Sequence, residues 1–178
     1  DGMEVDTISS QVKKMQRTQV ALIFADHDMD CVTCGRYGNC ELLQLARNLG
    51  VQKAPFTGKF IAERKVDHTD PAIELDVNKC VRCMRCVEVC NKIQGIGALR
   101  IDEIGTKAGV CLNGTKDWVD STKCVRCGQC IMVCPTGALM STDNVDKARE
   151  ILEDESVISV VQFAPSVRAT LGLSLIHI

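Results

Sequence analysis

Two eleven-residue segments of the sequence carry cysteines in the same order and at the same spacing. They read CVRCMRCVEVC at 80–90 and CVRCGQCIMVC at 124–134. Both follow the pattern C-x2-C-x2-C-x3-C. Cysteines at this spacing supply thiolates to the iron atoms of a [4Fe–4S] cluster. The pattern therefore predicts iron–sulfur chemistry, with one cluster for each segment.

The spacing also predicts how the cysteines divide between the two clusters. In bacterial ferredoxins, three cysteines of such a run bind one cluster and the fourth binds the other. A sulfur three residues further on lies at the start of a short helix and points away from the first three. We therefore expect one cluster to be ligated by Cys80, Cys83, Cys86 and Cys134. We expect the other to be ligated by Cys90, Cys124, Cys127 and Cys130.

The repetition extends beyond the cysteines. The same tripeptide follows both runs, as Gly97-Ala98-Leu99 and as Gly137-Ala138-Leu139. This repetition predicts two pseudo-equivalent half-domains. Pro135 completes the ferredoxin signature after the second run, whereas Asn91 stands at that position in the first. This departure leaves the ligands intact but weakens the prediction of the turn that follows the helix.

A third group of metal-ligating residues precedes the two runs. The side chains of His27, Cys31, Cys34 and Cys40 form the pattern H-x3-C-x2-C-x5-C. One imidazole and three thiolates can hold a third [4Fe–4S] cluster, and the histidine makes the site less negative, which alters its reduction potential. A zinc knuckle with three cysteines and one histidine is the alternative for this site taken alone.

Two other interpretations compete for the paired runs. Zinc sites use C-x2-C pairs separated by a longer spacer, which the duplicated triple spacing does not match. Disulfides form in oxidising compartments, and the sequence has no visible signal peptide. Cys111 lies alone between the runs, without a partner at ligand spacing, and we expect it to serve only packing.

The periodicity predicts elements around these motifs. A helix is expected over 7–26, with Thr7 or Ser9 as its N-cap, and a second amphipathic helix opens at Cys40-Glu41 and stops at Gly50. Alternating residues predict short strands at 73–76 and 99–104.

The last forty residues have a different pattern. A charged helix is expected over 145–155, followed by a buried strand over 157–163 and by the turn and first helix of a further α/β domain at 164–172. The hexapeptide 173–178 resembles the translation of a sequencing adapter, and we leave it out of the fold prediction. The sequence starts without an initiator methionine and stops within a new element, so we expect a piece of a longer protein.

Composition limits the function classes. The chain has 178 residues, 12 cysteines, a net charge of −2 and only 3% aromatic residues. A net charge near zero does not favour nucleic-acid binding. No apolar run approaches the length of a membrane span. We expect a protein of the reducing cytoplasm in which the clusters compensate for a small aromatic core.

These predictions combine into an α+β fold. A helical His/Cys3 cluster domain is expected at 1–71 and a duplicated βαβ-type domain with two [4Fe–4S] clusters at 72–143. A linker helix with the first strand and helix of a truncated α/β domain is expected at 144–172.

This order of motifs resembles a known family. A His/Cys3 site followed by two four-cysteine runs is similar to the electron-input arm of modular [FeFe]-hydrogenases, including the large subunits of NAD(P)-linked forms. The NADH:quinone oxidoreductase large subunit and the molybdenum- or tungsten-dependent formate dehydrogenase share such an arm. The segment 160–172 resembles the opening of the hydrogenase catalytic domain. Formate dehydrogenases would instead enter another cysteine motif, and the quinone-reductase subunit typically has a single complete ferredoxin motif here.

The resemblance implies electron transfer through three [4Fe–4S] clusters that feed a hydrogenase catalytic site. It implies a [2Fe–2S] domain and the hydrogen-activating H-cluster only in the full-length protein, and no catalytic residue in this stretch. The implied partner is an electron donor or acceptor protein, either a ferredoxin or an NAD(P)-binding flavoprotein subunit, in a hetero-oligomer. A free-standing polyferredoxin carrier and a zinc-stabilised interaction module are the alternatives from other classes.

Overall fold

The computed structural model describes residues 2–55, 66–103, 105, 108–114, 118 and 123–176. It divides into two compact units, Asp1–Thr142 and Asp143–Ile178. Helices and two small sheets together give the mixed α+β class that the sequence predicts. Among the described residues, no helix has both the length and the apolar character needed to cross a membrane.

Two helices precede the cysteine runs, as predicted. Helix α1 spans Ser10–Ala25, and its N-cap Ser9 accepts a hydrogen bond from the Val12 amide at 3.3 Å. Helix α2 spans Glu41–Leu49 and stops where Gly50 adopts a left-handed conformation, with φ at 69°. The His/Cys3 motif lies in the chain between these two helices.

A small apolar core joins α1 to α2. Its fully buried members are Val20, Phe24, Leu42 and Ala46. Val81, next to the first cysteine of the first run, packs against this core. The N-terminal helices are therefore anchored on the loop that carries that run.

Removing the ring of Phe24 is expected to destabilise this core strongly. Phe24 is 4% exposed, and truncating a buried phenylalanine to alanine costs about 3–5 kcal/mol through lost burial and the cavity left behind. Denaturant unfolding of Phe24→Ala should show that loss. Leu22→Ala is the control on the same helix, because Leu22 is 48% exposed and should change stability by about 0.5 kcal/mol or less.

Four short strands flank the cysteine runs in two antiparallel pairs. Strand β1 (Ile73–Leu75) pairs with β4 (Leu139–Ser141), and β2 (Leu99–Asp102) pairs with β3 (Gly109–Leu112). The predicted strand at 73–76 is confirmed for 73–75, and the one at 99–104 is confirmed for 99–102. Ile104 lies outside the described residues. Because β1 and β4 come from different half-domains, their pairing brings the two runs together.

A short helix carries the third cysteine of each run, Cys86 in the first and Cys130 in the second. Helix α3 spans Arg85–Glu88 and helix α4 spans Gln129–Val133. After α3 the chain continues as a π-helical turn, Val89–Ile93, whereas α4 stops because the residue before Pro135 is held extended, with ψ at 121°. The replacement of proline by Asn91 therefore lengthens the first helix.

The second unit contains two further helices, α5 (Val145–Glu153) and α6 (Pro165–Ile176). Both predicted helices are confirmed, and α6 continues past 172 into the segment excluded from the prediction. The predicted buried strand over 157–163 is wrong: the segment forms no strand, and its side chains are exposed. A strand needs a neighbour for its backbone hydrogen bonds, and the described residues of this unit contain none.

Candidate iron–sulfur sites

The first site is a small cavity beside the first cysteine run. Leu75, Val110 and Leu139 are among its apolar lining residues. Four cysteines line it as well: Cys80, Cys83, Cys86 and Cys134. Three of them come from the first run and one from the second, in the grouping expected from the spacing.

The second site is an equivalent small cavity beside the second cysteine run. Ile73, Leu99 and Trp118 contribute to its apolar wall. Its cysteines are Cys90, Cys124, Cys127 and Cys130. Each cavity thus offers four sulfurs in otherwise apolar surroundings, a donor set that fits a [4Fe–4S] cluster.

The loop between the first two cysteines has the same shape in both runs. Arg82 and Arg126 both adopt left-handed conformations, with φ of 57° and 54°, which are uncommon for residues other than glycine. In this geometry the Arg82 amide donates to Cys80 Sγ and the Arg126 amide to Cys124 Sγ, each at 3.4 Å. The strained turn therefore aims a backbone donor at the first sulfur of each run.

Further donors reach the sulfurs from outside these loops. The Ala98 amide donates to Cys90 Sγ at 3.3 Å, and the indole Nε1 of Trp118 donates to Cys124 Sγ at 3.3 Å. The sequence does not predict the contact of Trp118, because no spacing rule connects this residue to the cysteine run. The available signal is that it is the one tryptophan of the chain and lies six residues before Cys124.

Electrostatics in both cavities favours neutral thiols in the absence of a cation. Burial, followed by the charge of Cys80, raises the pKa of the Cys86 thiol to about 12. Burial, followed by the charge of Cys124, raises the pKa of the Cys130 thiol to about 12. Thiolates in such a place need positive charge beside them, and the iron of a cluster supplies it.

Arginine–carboxylate pairs hold the cysteine loops in place. Arg82 pairs with Asp26 at the end of α1, and Arg126 donates to Asp70 at 2.7 Å. The Asp70 side chain is fully buried, and its other oxygen accepts from the backbone amides of Ala72 and Ile73. The second loop is thereby tied to the start of β1.

The third site lies between α1 and α2. Burial, then the charges of Cys40 and Cys34, raise the pKa of Cys31. His27 is 8% exposed, and its Nδ1 has no hydrogen-bond partner among the described residues. Burial lowers its pKa and favours the neutral imidazole that binds metals.

The described ranges contain no group of three or more histidine, cysteine, aspartate or glutamate side chains that is close enough to hold a single metal ion. The structure places Cys31, Cys34 and Cys40 in the segment between α1 and α2, and His27 follows the end of α1 with an Nδ1 that has no hydrogen-bond partner among the described residues. Cys111 lies in β3, opposite Arg100, and lines neither cavity.

Contacts join the third site to the first cavity. A Cβ atom added at Gly137 would lie 2.7 Å from Cys34 Sγ. Arg36 donates to the carbonyl of Cys134 at 2.8 Å, and the Glu41 amide donates to the carbonyl of Pro135 at 2.9 Å. The N-terminal cysteines therefore lie against the loop that delivers Cys134 to the first cavity.

Comparison with protein families covers all three sites. Residues 16–55 match the model for the NADH-ubiquinone oxidoreductase-G iron-sulfur binding region. Residues 79–138 and 116–161 match two models of 4Fe-4S dicluster domains. The chain therefore carries iron–sulfur domains of the [4Fe–4S] type.

Among curated proteins, the NADP-reducing hydrogenase subunit HndD of Solidesulfovibrio fructosivorans is 37% identical over 172 residues, which cover 97% of this chain and 29% of that protein. Iron hydrogenase 1 of Clostridium pasteurianum is 34% identical over 97% of this chain and 30% of its own length. Over nearly its whole length, the chain is similar to these two hydrogenases. It spans about 30% of the length of these hydrogenases.

The chain is also similar to an oxidoreductase subunit and to a solved hydrogenase structure. The 75 kDa subunit of the NADH-ubiquinone oxidoreductase of Acanthamoeba castellanii is 28% identical, over 60% of this chain and 16% of its own length. A crystal structure of an NAD+-reducing [NiFe]-hydrogenase matches 76% of this chain and 57% of that chain, with a TM-score of 0.69 and 26% identity. Among these three curated relatives, the two hydrogenases extend over nearly the whole chain and the oxidoreductase does not.

Proposed function

We propose that this chain holds three [4Fe–4S] clusters in a row and transfers electrons between a partner protein and the catalytic site of an iron hydrogenase. The observation that carries the proposal is the division of eight cysteines into two cavities, each drawing three from one run and one from the other. When bound, such clusters supply one-electron carriers. The hydrogen chemistry itself belongs to the whole protein.

The proposed ligands follow from these positions. His27, Cys31, Cys34 and Cys40 would hold the N-terminal cluster. The residues lining the first cavity, Cys80, Cys83, Cys86 and Cys134, would hold the first ferredoxin-type cluster. Those of the second cavity, Cys90, Cys124, Cys127 and Cys130, would hold the second. The contact of Cys34 with Gly137 supports an order in which the first ferredoxin-type cluster lies between the other two.

The remaining residues of the sites position the cysteine loops and shield the clusters from water. Arg82 and Arg126 fix the cysteine loops and direct amides at sulfur. The apolar walls of both cavities exclude water, which keeps the effective dielectric constant low. Each hydrogen bond to sulfur is therefore electrostatically stronger. The protein therefore contributes spacing, insulation and control of potential, with no acid, base or nucleophile required.

The exposed cysteines suggest where electrons enter or leave. Cys83 and Cys127 are exposed, whereas the other cysteines of the two runs are buried or partly buried. A redox partner docking over either edge would approach a cluster closely. The proposed partner is a ferredoxin or an NAD(P)-binding flavoprotein subunit in a cytoplasmic hetero-oligomer, and a [2Fe–2S] domain and the H-cluster would belong to the full-length protein.

A second candidate is the same electron-input role in a different NAD(P)-linked oxidoreductase. The match of 16–55 to the NADH-ubiquinone oxidoreductase-G region and the likeness to the [NiFe]-hydrogenase structure favour it. H2-dependent reduction of the native whole protein decides between an iron hydrogenase and a quinone reductase. The iron hydrogenase proposal expects H2 to bleach the iron–sulfur absorbance, and no response to H2 would contradict it.

Assembly of the clusters tests the proposal at the level of this chain. Anaerobic reconstitution with iron and sulfide is expected to give a brown protein whose Mössbauer spectrum and acid-labile sulfide correspond to three [4Fe–4S] clusters. A colourless, zinc-binding product without labile sulfide would overturn the electron-transfer function. Two clusters in place of three would remove the N-terminal site from the proposal.

A further inference from the structure

Trp118 is placed to act on one cluster site and not on the other. Its side chain is 1% exposed and lines the second cavity. The indole Nε1 donates to Cys124 Sγ at 3.3 Å, and the backbone amide of Trp118 donates to Asp67 at 2.8 Å. The backbone of Trp118 is therefore anchored to Asp67. The one polar atom of the ring, Nε1, is directed at the candidate ligand sulfur of Cys124.

The two half-domains differ in the chemistry of this contact. Cys80 and Cys124 are the first cysteines of the two runs, and each accepts the amide of the residue two positions later at 3.4 Å. Cys80 accepts a further hydrogen bond from the backbone amide of Val110. At Cys124 the corresponding further donor is the Trp118 side chain. Pseudo-equivalent sulfurs thus carry a backbone donor in one half and a replaceable side-chain donor in the other.

A donor at this sulfur has a defined effect on redox chemistry. Reduction adds negative charge to a cluster, and a hydrogen bond to a ligand sulfur stabilises the more negative state, which raises the reduction potential. The apolar bulk of the ring has the opposite effect, because exclusion of water disfavours added charge. Only the N–H group of Trp118 can therefore raise the potential, while the rest of the ring insulates.

We propose that Trp118, through its indole N–H bond to Cys124, raises the reduction potential of the second ferredoxin-type cluster. This inference rests on the proposed function, since it takes Cys124 as a cluster ligand. Trp118 acts through that cysteine and is a positioning residue. The potential of the second cluster thereby depends on a side chain, whereas at the equivalent sulfur of Cys80 the further donor is a backbone amide.

The substitution Trp118→Phe tests the inference, because it removes the N–H group and keeps an aromatic cover over the cavity. In a potentiometric titration followed by EPR, the second cluster of the reconstituted chain should become harder to reduce by about tenfold in its equilibrium constant, or about 59 mV for one electron. The first cluster is the internal control and should not shift. Leu112→Val is the matched control and should leave both potentials unchanged, since Leu112 is 2% exposed, lines neither cavity and offers no side-chain donor.

A measurement on the unaltered chain covers the case in which Trp118→Phe does not fold. Trp118 is the one tryptophan, so growth with indole-15N-tryptophan labels a single nitrogen. A 15N hyperfine coupling on the reduced second cluster is expected. Its absence, or unchanged potentials in a Trp118→Phe chain that holds all its clusters, would overturn the inference while leaving the proposed function intact. If the unaltered chain assembles no cluster at this site, the ligand assignment of the proposed function fails instead, and the inference falls with it.

Discussion

Replacing Cys134 with alanine is expected to abolish the first ferredoxin-type cluster and to spare the second. Cys134 belongs to the second run in sequence, but it lines the cavity of Cys80, Cys83 and Cys86. Its loss therefore removes a ligand from the cluster of the first run. EPR of the reduced protein, with iron and sulfide analysis, should show the loss of one cluster and no change in the signal of the second.

The reciprocal substitution completes this test. Cys90→Ala should abolish the second cluster and spare the first, because Cys90 lines the second cavity. Cys111→Ala is the matched control, since this cysteine lies in β3 and lines neither cavity. All clusters should survive in it. Loss of the second cluster in Cys134→Ala would mean that each run binds its own cluster without exchange.

Replacing Gly137 with alanine is expected to eliminate the N-terminal cluster. The added Cβ would lie 2.7 Å from Cys34 Sγ, closer than van der Waals contact allows, and the Gly137 backbone is outside the left-handed region. Conformational strain is therefore excluded as a cause, and the displaced group is a proposed ligand. Reconstituted Gly137→Ala should lose the signal of the N-terminal cluster while both ferredoxin-type signals remain.

Gly35→Ala provides the control for that substitution. Its added Cβ would lie 3.0 Å from the terminal methyl of Met140, a flexible group that can move aside. The N-terminal cluster should assemble normally in this variant. Retention of the N-terminal cluster in Gly137→Ala would contradict the proposed contact between Cys34 and the loop that carries Cys134.

The grouping of cysteines could be predicted because it depends on local geometry. Cysteines separated by two residues converge on one cavity, whereas the fourth cysteine, separated from the third by three residues, diverges from them. The sulfurs of Cys90 and Cys134 therefore line the opposite cavities. The helices α1 and α2 could also be predicted from the sequence, because Ser9 is a strong local start signal and Gly50 is a strong local stop signal.

Contacts between distant residues could not be predicted in this way. Asp70 lies 56 positions from Arg126, and Trp118 donates to Cys124 from six positions earlier in the chain. No periodicity encodes either contact, because each depends on how β1 and the second run pack together. The sequence therefore presents the arginines only as charges, whereas the structure shows them bound to carboxylates.

The error over 157–163 has a different origin. Val157 to Phe163 is a run of β-branched and aromatic residues, and such a run predicts a strand only if a neighbouring strand is available. The described part of the second unit supplies only helices. Side-chain propensity therefore indicated burial that the surrounding residues do not provide, as the 92% exposure of Ile158 illustrates.

Magnetic coupling between reduced clusters tests the central claim most directly. If the three clusters form a row, pulsed EPR of the fully reduced chain should show the first ferredoxin-type cluster coupled to both others, with weaker coupling between the N-terminal and the second. Cys134→Ala should then leave two weakly coupled signals. Three uncoupled signals, or strongest coupling between the N-terminal and the second cluster, would contradict an electron path through the first.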